Sequence, residues 1–247
     1  MTIEIVRCVG LCTVQDLGRR GHMHEAVPPG GALVPELLVA ANRRIGNPDG
    51  APAIEVLGQL VVKHEGREHL VESAPHRAAY FAVRGGVDVP RVLDGRGTLL
   101  CAGLGKPLAR GDVLRVGNEP EAQQPITELE DSDIITVIAG PDLEAFVPDA
   151  LDELERATFR ISPTSDRVGT RLEGPTLERV TAYRERSRPM VIGALEVPRD
   201  GMPIVLGPEH PTTGGYPVIG VIASAELGRF FAIRLGGTVR FRVARES

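Results

Sequence analysis

The segment Pro211-Thr212-Thr213-Gly214-Gly215-Tyr216-Pro217 constrains the chain most, because two adjacent glycines stand between two prolines and two hydroxyl side chains. Each proline fixes φ and removes an N–H donor, whereas glycine accepts positive φ and lets a ligand approach the main chain. The pattern predicts a rigid loop with exposed backbone donors, a surface suited to small polar or anionic ligands. Apolar runs flank it, Pro203-Ile204-Val205-Leu206 and Val218-Ile219-Gly220-Val221-Ile222, so a turn between two buried strands accounts for the same residues. Both readings stay open on this segment alone.

Composition narrows the fold. With 29 Gly and 20 Pro among 247 residues and no Trp, the Val- and Ile-rich strings read as short strands joined by tight turns, a mainly β protein. The length suffices for one large domain or two smaller ones, each with its own core. A net charge of -5 gives no electrostatic reason to expect nucleic acid or an anionic membrane as partner. Arg184, Arg186 and Arg188 interleave with acids and read as a solvated face. The N-terminus lacks the layout of a signal peptide, no apolar run is long enough to span a bilayer, and a cytoplasmic location is expected. Cys8, Cys12 and Cys101 are odd in number and read as reduced thiols.

Along the chain, Ile3–Val9 alternates as a strand and Thr13–Asp16 runs into a turn at Leu17–Gly21. A helix is predicted from Pro35 to Ile45, opened by Pro35 and closed by Gly46-Asn47-Pro48. Strands are predicted at 53–57, 59–63, 78–83, 98–100 and 112–116. The polar stretch 117–133 reads as a linker, which places domains at 1–120 and 134–247. Beyond it come a buried strand at 134–139, a short acidic helix at 149–157, a strand at 158–161, and a last strand, Thr238–Val243, alternating apolar and basic residues.

Six blocks in order carry a resemblance: Thr13-Val14-Gln15-Asp16-Leu17-Gly18-Arg19, Val27-Pro28-Pro29-Gly30-Gly31-Ala32, Ala41-Asn42-Arg43-Arg44-Ile45-Gly46-Asn47, Ala82 to Pro90, Ser165-Asp166-Arg167-Val168-Gly169-Thr170-Arg171-Leu172, and Thr212 to Pro217. Together they resemble the biotin-dependent carboxyltransferase-like family that includes the 5-oxoprolinase C-subunit, KipA and allophanate hydrolase subunit 2. The resemblance implies two cyclophilin-like β-barrel domains with a few short helices. It implies ATP-dependent opening of 5-oxo-L-proline to L-glutamate, carried out with the KipI-like B-subunit of 5-oxoprolinase as partner and with its A-subunit. As alternatives it admits a non-catalytic, KipA-like regulatory role, or a carboxyltransferase acting on urea or another amide. In that last case biotin would arrive on another chain, since no Met-Lys-Met motif occurs.

The sequence departs from the family where Leu33 follows Gly-Ala in place of Asp, and where Glu209-His210-Pro211 replaces Asp-Arg-Gln. His22 replaces a Tyr, and Glu196 stands where Gln is frequent.

The candidate catalytic residues are Asp16, Glu209 and His210, an imidazole being able to exchange protons near neutral pH. Candidate substrate-binding residues are Arg19, Asp166, Arg167, Arg171, Thr212, Thr213, Gly214, Gly215 and Tyr216, with the substrate expected between the Asp16 loop and the Gly214-Gly215 loop. An Arg fork suits a carboxylate, but Asp–Arg braces within the loops would leave the same sequence. His22, His24 and Glu25 lack a nearby further ligand, so no metal is expected. Neither a phosphate-binding Gly-x-x-x-x-Gly-Lys loop nor Gly-x-Gly-x-x-Gly is present, so ATP is expected on a partner or in an unannounced manner.

Overall fold

A computed structural model describes residues 1–245 as two compact units. The first consists of Met1–Met23 and Pro29–Leu129; the second takes His24–Pro28 and the chain from Glu130 on. The protein is mainly β, as the composition requires.

In the first unit, β1 (Thr2–Gln15) pairs along its length with β2 (Ala53–His64), and β3 (Arg67–Glu72), β4 (Ala79–Phe81), β5 (Val87–Asp88) and β6 (Val113–Val116) complete a six-stranded sheet. Its order is β3-β2-β1-β6-β5, with β4 also on β2, and the path stays open. One extra residue sits in β1 where the register slips between Ile5 and Arg7. A slip of one residue turns a strand's faces over. Accordingly Ile3 and Ile5 are buried before the bulge, and Cys12 and Val14 after it. All four meet Ile54, Val56, Leu60 and Val62 of β2 in one core.

The two strands expected at 53–57 and 59–63 are a single strand. Gly58 lies at φ 136°, opposite Gly10 at φ 86°, and pairing runs through both. The strand expected at 98–100 is not formed. Thr98 N–H bonds Val14 O at 2.7 Å, and Leu100–Ala102 makes a 3-10 turn that Gly103 ends at φ 68°. The predicted helix is α1 (Pro35–Arg44), with Pro35 in its first turn and Leu38, Ala40 and Asn42 buried. Residues 117–133 carry no helix or strand.

The second unit is a closed barrel of seven strands in the order β11-β12-β9-β8-β15-β7-β14. These are β7 (Ile134–Ala139), β8 (Thr158–Ile161), β9 (Gly169–Glu173), β11 (Ala194–Glu196), β12 (Ile204–Leu206), β14 (Val218–Ile222) and β15 (Thr238–Val243). A separate ribbon pairs β10 (Arg188–Pro189) with β13 (Thr213–Gly214). Helices α2 (Ala150–Arg156) and α3 (Leu227–Ala232) are short. Phe159, Phe230 and Phe241 pack in the interior, the first two with ring centroids 5.9 and 6.3 Å from that of Phe241. On β15, Val239 and Phe241 are buried while Arg240 and Arg242 point outward, the alternation a one-sided strand requires.

Candidate functional site

Two loop systems carry the residues singled out by sequence, one in each unit. In the first, Asp16 Oδ1 accepts the Gly18 N–H at 2.8 Å and Oδ2 accepts the Arg96 N–H at 2.6 Å. The backbone joins in, Ala32 N–H bonding Asp16 O at 2.8 Å and Arg19 N–H bonding Pro29 O at 2.7 Å. Gly31, at φ 83°, must be glycine here, since an added Cβ would lie 2.7 Å from Gly18 N. Arg19 is buried, with Nε donating to Val92 O (3.0 Å) and Nη2 to Gly97 O (2.6 Å). Burial lowers its pKa and the nearby Asp16 charge opposes that shift. Asp16 and Arg19 therefore spend their hydrogen bonds on the loop backbone. Arg19 Nη1 lacks a partner among the described residues.

Glu55, a lone acid in an apolar strand, belongs to the same system, and sequence reasoning misses it. It is fully buried on β2, and its Oε2 accepts the Leu33 N–H and the Tyr80 O–H, each at 2.7 Å. It thus secures the segment that follows Gly30-Gly31. An acid at the centre of Ala53-Ile54-Glu55-Val56-Leu57 is the available signal.

The second system surrounds the Gly214-Gly215 loop. Neither glycine has positive φ, so left-handed freedom is not why they are there. Gly214 answers to close approach: a Cβ would lie 2.6 Å from Glu196 Oε1 and 2.8 Å from Met190 Cε. Gly215 faces open space, with nothing within 4 Å of an added Cβ. Glu196 lies between the buried Leu195 and Val197 and, through its cross-strand partner Ile204, on the same outer face as the exposed Arg171. There the ribbon covers it, Met190 packing with Ala194, Leu206 and Val218.

Under that cover Glu196 is 6% exposed and Oε1 has no hydrogen-bond partner among the described residues. Loss of hydration pushes its pKa up to about 7. Across the strands, Glu196 stands opposite Ile204, and Ile204 opposite the exposed Arg171, so the acid and this guanidinium share a face.

Asp142 fixes the ribbon. Its buried carboxylate accepts the Tyr183 O–H at 2.8 Å and an N–H of Arg188 through Oδ1, and the Val218 N–H at 2.9 Å through Oδ2. Arg188 in turn pairs with Gly214 between β10 and β13. By sequence Asp142 belongs to a plain turn, because its partners lie far along the chain.

Arg167 and Glu209 form a pair 2.6 Å apart with side chains 3% and 4% exposed. Asp166 Oδ1 accepts the N–H groups of Val168 and Gly169 at 2.9 Å each. His210 is wholly buried; Nδ1 donates to Pro211 O at 2.8 Å, which leaves Nε2 as an acceptor without a partner among the described residues. Burial lowers its pKa, keeping the ring neutral. Thr213 and Tyr216 are exposed and Thr212 is half-buried, its carbonyl accepting the Met190 N–H at 3.0 Å. Met23–Glu25 is a 3-10 turn, and no cluster of three or more metal-ligating side chains occurs among the described residues.

These loops sit in a recognisable frame. The family model for the carboxyltransferase domain, subdomains A and B, matches residues 68–243. The chain belongs to this family. Among carboxyltransferase-domain proteins it is similar to the 5-oxoprolinase C-subunit of Escherichia coli K12, 31% identical across 97% of this chain and 90% of that one. The protein of that name from Haemophilus influenzae is 28% identical over the same shares. The crystal structure of the Kluyveromyces lactis urea amidolyase superposes with a TM-score of 0.86 at 22% identity, over 99% of this chain and 19% of that one, a likeness of fold. The carboxyltransferase-domain resemblance read from six sequence blocks is therefore correct. No helix among the described residues is long and apolar enough to cross a membrane.

Proposed function

We propose that this carboxyltransferase-domain chain is the C-subunit of a 5-oxoprolinase-like enzyme, working with B-subunit and A-subunit partners. The observation that carries the reading is the 31% identity to a 5-oxoprolinase C-subunit over nearly the whole of both chains. The reaction is hydrolytic. The ring C–N bond breaks, water supplies the oxygen of the new carboxylate, the ring nitrogen leaves as an amine, and ATP used by the assembled enzyme drives the step.

The second unit's loop suits the ground state of such a substrate. A lactam offers one carbonyl acceptor and one N–H donor. A neutral carboxylic acid offers the complementary pair from one group, and Glu196 keeps its proton up to about pH 7. Gly215 leaves open space beside it, and Arg171 on the same face can pair with a ring carboxylate. Thr212, Thr213, Gly214 and Tyr216 would border the bound ring. Asp16, Arg19, Asp166, Arg167 and Glu209 hold loops in shape in this reading, and His210 Nε2 serves as an acceptor.

A urea amidolyase of Lachancea kluyveri, 27% identical over 93% of this chain and 16% of its own length, favours a second reading, carboxyl transfer to an amide from carboxybiotin supplied on another chain. Co-purification with the two partner subunits, followed by assay of glutamate release from 5-oxoproline and ATP, separates the readings. Turnover is expected, and Gly215→Val is expected to abolish it while the complex still forms. A stable complex with no glutamate release sinks the oxoprolinase reading and leaves the regulatory or carboxyltransferase role. Unchanged turnover in Gly215→Val removes the loop from the site.

A further inference from the structure

A cleft of about 280 Å³ opens in the second unit, lined by Arg179, Val180, Thr181, Tyr183 and Arg199. Nothing in the sequence marks these residues for a role. The cleft's floor is Arg179, whose side chain is 10% exposed. Nη1 donates to Val197 O at 3.2 Å and Nη2 to Glu185 Oε1 at 2.8 Å, while the buried Nε has no partner among the described residues.

Nε and Nη2 form the guanidinium edge that grips both oxygens of one carboxylate. Arg43 in the first unit shows that edge filled, with Nε and Nη2 each 2.7 Å from an oxygen of Asp49. Glu185 fills only half of the Arg179 edge. The same Glu185 oxygen lies 3.9 Å from Arg199 Nε, so two guanidiniums share one carboxylate oxygen and one positive charge is in excess. A buried N–H without an acceptor is unfavourable, and an excess charge at a cleft mouth draws an anion.

We propose that this cleft binds a small carboxylate ligand, which completes the Arg179 fork, pairs with Arg199 and displaces Glu185. Its size, just under the roughly 300 Å³ at which drug-sized pockets begin, admits a ligand of a few carbons. Thr181 adds a hydroxyl beside the guanidiniums. The cleft is wired to the glycine loop: Tyr183 lines it and bonds Asp142, Asp142 holds Arg188, and Arg188 pairs with Gly214. Occupancy is thus felt at Met190, which touches the same glycine.

The chain has four methionines, so ¹³C-methyl labelling gives a sparse spectrum in which Met190 can be followed. Glutarate, titrated into the full chain, is expected to move the Met190 signal saturably, and inorganic phosphate at equal concentration to move it far less. Glu185→Gln removes the competing carboxylate and is expected to tighten glutarate binding about tenfold, read by calorimetry. Arg179→Met is expected to weaken it at least about tenfold, with Arg199→Gln as the milder variant should Arg179→Met not fold. Tyr183→Phe is expected to separate the two readouts, glutarate still binding by calorimetry while the Met190 signal no longer moves. Absent saturation, an equal response to phosphate, or unchanged or weaker binding in Glu185→Gln overturns the site. A Met190 response that persists in Tyr183→Phe overturns its connection to the loop. Turnover is not measured, so the outcome is independent of the oxoprolinase reading.

Discussion

The Asp16 loop and the Gly214-Gly215 loop are both glycine-rich and both carry buried acids, yet their polar groups are settled differently. The side chains of Asp16 and Glu55 each accept at least two hydrogen bonds from the structure around them. Glu196 and His210 each bury an atom that has no partner among the described residues. Buried polar groups are normally paired, since an unmade hydrogen bond costs about 1–3 kcal/mol. The acids of the first loop are spent on holding it, although Arg19 Nη1 is without a partner there among the described residues, whereas in the second loop the acid itself retains unspent hydrogen-bonding capacity where a ligand would use it. Position in a shared motif does not distinguish the two cases; the accounting of donors and acceptors does.

The sharpest way to break the comparison is the Arg167–Glu209 pair, a place beside the second loop where buried charge is matched. Glu209→Ala leaves a buried guanidinium without its carboxylate and is expected to cost about 3–5 kcal/mol in urea unfolding. If the cost is below about 1 kcal/mol, the pair is not the brace its burial implies.

Asp16→Ala comes next, since it strips acceptors from two backbone N–H groups of a packed loop. A loss of about 2–4 kcal/mol is expected by the same measurement. Strong loss of stability with Asp16→Ala would mark that loop as structural.

Glu196→Gln is expected to act with the opposite sign. Its folded pKa, about 7, lies above the unfolded value of about 4.5, so the folded state holds the proton more tightly. Stability falls as pH rises from about 4.5 through 7 and stays reduced above that. Glutamine removes this cost. The variant is expected to gain about 1–3 kcal/mol near pH 8 and almost nothing near pH 4, read from thermal unfolding at both. A pH-independent change would mean that Glu196 does not titrate in this window.

The smallest effect expected is that of Tyr183→Phe, about 0.5–1.5 kcal/mol for one hydrogen bond to Asp142.

Where local chemistry decides, the sequence is readable. Pro35 and Gly46 bracket α1, and the apolar-basic alternation of Thr238–Val243 marks a strand with one wet face. Elements decided by distant partners are not. Residues 67–72 carry four polar or charged side chains out of six, and they form a strand because β2 offers them an edge. Gly58 reads as a break between two strands, but Gly10 opposite it lets the ladder continue. The candidate site divides along the same line. The glycine loop can be found from its own residues, whereas Asp142 gathers Tyr183, Arg188 and Val218 from 41, 46 and 76 positions away. The role of Glu196 depends on a ribbon that no local pattern announces.

The barrel closes through β15, which lies between β7 and β8 and runs parallel to β7, whereas the other neighbouring strands of the barrel pair antiparallel. During synthesis, the other six strands emerge before it does. Until residues 238–243 arrive, β7 and β8 each present an unpaired edge, the kind of template on which chains associate. Until that last strand emerges the second unit is an incomplete sheet, and its yield in the cell should depend on what shields those two edges in the interval.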